Sequence, residues 1–63
     1  MEKTLRLLAQ LHDVDFEELK KFYEDRKDIY KAIASLKFNV LYNEVTVDMR
    51  YEIKIQSFIT MYS

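Results

Sequence analysis

Residues 45–55 read VTVDMRYEIKI, that is Val45, Thr46, Val47, Asp48, Met49, Arg50, Tyr51, Glu52, Ile53, Lys54 and Ile55. Every second residue is apolar, and each residue between is polar. Successive side chains of a strand point to opposite faces, so this alternation predicts a half-buried β-strand. Composition agrees, because Val, Ile, Thr, Tyr and Phe fill more than half the positions from Val45 to Tyr62. The alternation fails after Ile55, where Ser57 takes an inward slot and Phe58 an outward one. That places a bend at Gln56–Ser57 and makes the segment a hairpin or strand pair. A competing reading sets Tyr51, Ile55, Phe58 and Tyr62 on one face of a helix. It suits the last ten residues and leaves the earlier alternation unexplained.

Upstream of Asn43 the apolar spacing is helical. Leu5, Leu8, Leu11 and, on the flank, Ala9 form one stripe of a first helix over about residues 2–11. Asp15 is placed to cap a second helix, with Glu18 three residues on as the reciprocal half of a capping box. Val14 and Leu19 have the spacing of a hydrophobic staple. A seven-residue repeat follows, with Leu19, Phe22, Ile29, Ile33, Leu36 and Val40 on the seam and Arg26 as its one polar member. The second helix is expected to run on toward Asn43. The fold class expected is α+β: a short N-terminal helix, a long amphipathic second helix, and a C-terminal β-hairpin or strand pair. An all-α helical dimer is the alternative. Residues 1–63 make a single small domain.

Lengths constrain this picture. A compact chain of 63 residues has a radius of gyration of roughly 11 Å. A helix over residues 16–41 would be roughly 39 Å long, and an unbroken strand over residues 45–61 roughly 56 Å. Either both elements break, or they project and are covered by another subunit. With no cysteine and one histidine, disulfides and thiolate or imidazole-rich metal sites are excluded. Self-association is the reinforcement expected for so small a chain.

Glycine and proline are both absent, which excludes the glycine-dependent phosphate loops and the EF-hand turn. Turns are left to Asp13, Asn43, Asp48 or Ser57. Ten Lys and Arg against eleven Asp and Glu argue against a strongly basic nucleic-acid binder or a polybasic membrane anchor. The apolar stretch from Leu5 to Leu11 is too short to span a membrane and lacks a signal-peptide cleavage site, so a cytoplasmic location is expected.

Candidate sites are few. His12 beside Asp13 and Asp15 has the composition of a general base with an orienting carboxylate; its plainer role is to meet the negative end of a helix dipole. Asp13, Asp15, Glu17 and Glu18 supply oxygens for a hard cation, though two are better used in capping. Residues 13–28 hold seven acids against four bases, a solvated helix face or a surface for a basic partner. Arg26 on the seam suits a residue that fixes register between subunits. The five tyrosines suit an interface.

No catalytic, cofactor or metal signature emerges, so the expected function is a non-enzymatic protein–protein interaction module acting as a homodimer. Its partner or dimer interface is assigned to Phe22, Tyr23, Arg26, Ile29, Tyr30, Ile33, Tyr42 and Tyr51. Small cysteine-free chains of this kind are common among phage and mobile-element accessory proteins that inhibit a host enzyme or defence complex. The alternative is a small DNA-binding transcriptional regulator, with Lys37, Arg50 and Lys54 as its contacts.

Overall fold

A computed structural model describes residues 2–62, the side chain of Tyr62 excepted. Four α-helices follow one another: α1 (Glu2–His12), α2 (Phe16–Glu24), α3 (Ile29–Phe38) and α4 (Val47–Tyr62), with a single 3-10 turn, Tyr42–Glu44, before the last. The expected C-terminal strand pair is not there, and among the described residues there is no strand. The class is all-α, built from short helices within one copy.

The reason lies in helical geometry. Two residues advance a helix by about 200°, close to half a turn. An apolar residue at every second position therefore falls alternately on opposite sides of a helix. Met49, Ile53 and Ser57, spaced by four, face inward; Ile53 and Ser57 are sealed and Met49 packs against the core. Tyr51 and Ile55 face outward. The alternation at 45–55 is thus the signature of a helix with two apolar faces. Its start is marked by Thr46, whose Oγ1 accepts the Met49 amide at 3.2 Å and so acts as an N-cap. The expected bend at Gln56–Ser57 lies inside α4, and Asp48 and Ser57 are helical positions, not turns.

The long second helix also breaks. It stops at Glu24, and α3 begins at Ile29 under a cap from Asp28, whose carboxylate accepts the Lys31 amide at 3.1 Å. Arg26, the polar member of the seam, sits in the break with φ of 60°. Helix α3 ends at Phe38, before the stop expected near Asn43, with left-handed Asn39 as its terminator. With both long elements broken, the molecule measures 30 × 24 × 18 Å with a radius of gyration of 10.6 Å, the compactness of an ordinary domain of its size. Length therefore gives no ground for a second subunit.

Asp13, Arg26 and Asn39 share one role. Each takes a positive φ just past a helix, and each is followed by an amide that reaches back: Val14 to Ala9 at 2.9 Å, Lys27 to Phe22 at 3.0 Å, Val40 to Ser35 at 3.1 Å. These are Schellman-type ends made without glycine. At the start of α2 the expected cap forms, Asp15 accepting from Glu17 and Glu18 amides at 2.8 and 3.2 Å.

The core is Leu5, Leu8 and Ala9 of α1, Leu19 of α2, Ala32, Ile33 and Ala34 of α3, and Ile53 of α4. Ala32 and Ala34 lie on opposite sides of α3 and both are sealed. Helix α3 is therefore the central helix, packing against α1, α2 and most extensively α4.

Candidate interaction surface

His12 closes α1 and turns its ring inward. It falls on the helical stripe of Leu5, Leu8 and Ala9, the sequence signal that places it in the core. Its Nε2 lies 2.9 Å from Ser57 Oγ, and that hydroxyl donates to the Ile53 carbonyl at 2.8 Å. The hydroxyl proton being committed, Nε2–H donates to Oγ. This is the reverse of a base that polarises a nucleophile, and both side chains are buried. Burial, followed by the positive charge of Lys37, holds the His12 pKa below its ordinary value. Its Nδ1 is buried with no partner among the described residues.

Asp28 joins three elements. Beyond capping α3, its Oδ2 meets Arg50 Nε of α4 at 2.8 Å, and its amide donates to the Tyr42 hydroxyl at 3.0 Å. Burial pushes its carboxyl pKa upward, but the Lys31 amide, Arg50 and the Tyr30 amide outweigh that and hold it below the ordinary value.

Of the residues assigned to an interface from sequence, the fold gathers Tyr23, Arg26 and Ile29 around one concavity at the α2–α3 turn and places the others elsewhere. Ile33 is sealed inside α3 and reaches no second molecule. Ile29 and Tyr30 pack against the core, and Phe22 stacks on Tyr42 with centroids 5.5 Å apart. Cations roof several of the rings: Lys31 and Lys27 lie 4.6 and 5.5 Å from the Tyr42 centroid, and Arg50 lies 5.7 Å from that of Tyr30. Tyr23 and Arg26 are exposed at the α2–α3 turn, away from any seam. Tyr51 is different. It is 61 % exposed on the outer face of α4, with no ring or cation against it among the described residues.

That face holds five of the eleven large apolar residues exposed among the described residues. Val47, Tyr51, Ile55, Phe58 and Ile59 are between 36 % and 82 % exposed, and they run most of the length of α4. Lys54 extends toward the Phe58 ring, 5.8 Å from its centroid. Beside the C-terminal end of α4, Leu7, Leu11 and Met61 line a shallow groove of about 400 Å³ between α1 and α4. Tyr62, which the helical reading adds to the stripe, has its side chain outside the described residues.

The basic residues proposed as DNA contacts are otherwise engaged. Arg50 is paired with Asp28, Lys37 Nζ lies 3.5 Å from Gln56 Oε1, and Lys54 lies by Phe58. The helix pair joined near Asp13, which that alternative would use, is α1 and α2, and the two-stranded ribbon it would otherwise use is absent among the described residues. Among the described residues no group of three acidic, histidine or cysteine side chains is placed to hold a metal, and no helix is long and apolar enough to cross a membrane. No protein-family model, curated protein or solved structure matches the chain.

Proposed function

We propose that this chain is a non-enzymatic protein-interaction module whose working surface is the outer face of α4. One observation carries the reading: α4 is apolar on two sides, and only one of them is used by the core. Exposed single apolar residues are ordinary, but a contiguous stripe along one helix marks an interaction surface. An amphipathic helix face presenting anchors at three- and four-residue spacing is a recurring mode of protein recognition. The cytoplasm, where cysteine-free chains need no oxidative folding, is the compartment proposed. Inhibition of a host enzyme or defence complex, the role common in this size class, would follow from the unpaired α4 face covering a partner's functional groove.

Site-specific photo-cross-linking tests the surface. A benzophenone amino acid replaces Tyr51 on the outer face or, as control, the exposed Glu24 of α2, and each protein is irradiated in bacterial lysate. Adducts at position 51 and none at position 24 are expected. Equal labelling at both, or none at position 51, overturns the reading.

A further inference from the structure

We infer that the outer face of α4 pairs with the same face of a second copy of this chain, the two helices running parallel about a two-fold axis. The inference rests on the reading of that face as a docking surface and names its occupant.

Area is the first support. With roughly 150–250 Å² for a fully exposed aliphatic or aromatic residue, the five stripe residues offer about 550 Å² per copy. Complete coverage of both stripes removes about 1,100 Å² from water, a ceiling close to the roughly 1,000 Å² that a specific interface requires. Leu7, Leu11 and Met61 add apolar surface beside the C-terminal end of the stripe. The helix itself is about 24 Å long, against a longest molecular dimension of 30 Å, so two copies meet along nearly their whole length.

Charge is the second support, and it sets the direction. At about 100° per residue, Glu52 borders the five-residue stripe on one side, beyond Ile59, and Lys54 borders it on the other, beyond Val47, while Asp48 lies between Ile55 and Ile59. Flanking charges decide the orientation of paired helices. In a parallel pair the acidic flank of each helix faces the basic flank of its partner. In an antiparallel pair acid faces acid. The acidic flank also disfavours a lipid surface, which selects helices with basic residues bordering the apolar face.

The absence of cysteine makes the test clean. Tyr51→Cys and Phe58→Cys place single thiols seven residues apart, about 10 Å along the helix. In a parallel two-fold pair each residue faces its own copy, so both variants are expected to form disulfide-linked dimers on mild oxidation, and Glu24→Cys to form none. In an antiparallel pair a residue meets itself only at the axis, so at most one of the two links. Sedimentation of the unmodified chain from about 1 to 200 μM, which spans weak to moderate dimer affinities, is expected to show mass rising from 7.7 kDa toward twice that value. Circular dichroism checks that the variants keep their helices. A mass that stays at 7.7 kDa, or a link at only one position, overturns the inference. Photo-adducts from position 51 to a different protein would still uphold the docking surface in that case.

Discussion

His12 at the end of α1 and Ser57 within α4, 45 residues apart in sequence, meet at 2.9 Å in the interior. They tie the first helix to the last. The neutral ring donates through Nε2, so protonation adds an N–H at Nδ1 where no acceptor is present among the described residues.

A pH dependence follows from that geometry. The folded pKa of His12 lies below its ordinary value of 6.5, so between the two the unfolded chain binds more protons. Stability is then full above about pH 6.5 and falls as pH drops toward the folded pKa. Urea unfolding at pH 8, 7, 6 and 5 measures the slope, and His12→Gln is expected to flatten it between pH 6.5 and 5. An unchanged slope in that variant would place the titration elsewhere.

Ile53 and Ile55 separate helix from strand directly. On a strand they share a face and truncation costs them alike. On α4 they oppose one another, so Ile53→Ala is expected to destabilise by about 2–4 kcal/mol and Ile55→Ala by less than about 1 kcal/mol. Thermal or denaturant unfolding of the two variants decides the matter.

Arg26 holds a left-handed backbone that an L-residue adopts at a cost of roughly 1 kcal/mol. Arg26→Gly relieves that strain and is expected to stabilise the fold by about 0.5–1 kcal/mol, with the Schellman bonds intact. Arg26→Ala, which keeps the Cβ, gives no such gain. A loss of stability on Arg26→Gly would mean that the arginine side chain contributes to the fold.

Asp28 does more than pair with Arg50. Asp28→Ala removes a helix cap and is expected to cost about 1–2 kcal/mol, whereas Arg50→Ala removes a half-exposed ion pair worth less than about 1 kcal/mol. Because the carboxyl pKa is depressed below 3.8, its contribution persists above the ordinary carboxylate range and is lost only as acid protonates the folded form. Equal costs for the two variants would show the ion pair, not the cap, to dominate.

The first helix and the start of α2 are legible in the sequence, because a period of 3.6 and the Asp15 cap are local signals. The break at residues 25–28 is visible only in part. Arg26 stands out as a polar residue on an apolar seam, and a register-fixing role between subunits explains that as readily as a turn does; without glycine or proline the chain carries no punctuation there. Residues 45–55 mislead because alternation has two geometric solutions, a strand with one apolar face or a helix with two. Thr46 as a cap is the local clue that favours the second. The interface residues drawn from the heptad went inside with the core or into the turn. Tyr51 alone came to rest on the stripe, because it belongs to the α4 pattern and not to the seam.

The outer side of α4 carries more apolar residues than the inner one, so oil-avoidance by itself would turn that outer side inward. Girth does the sorting. Ser57 beside Ile53 makes a slim side that is sealed in the interior, with the Ser57 hydroxyl against His12 of α1, while the wider Tyr51, Ile55 and Phe58 stay outside. The orientation of the last helix is thus written in the narrowness of a few small residues, and a bulky replacement at position 57 would act less as damage to the interior than as an instruction to rotate.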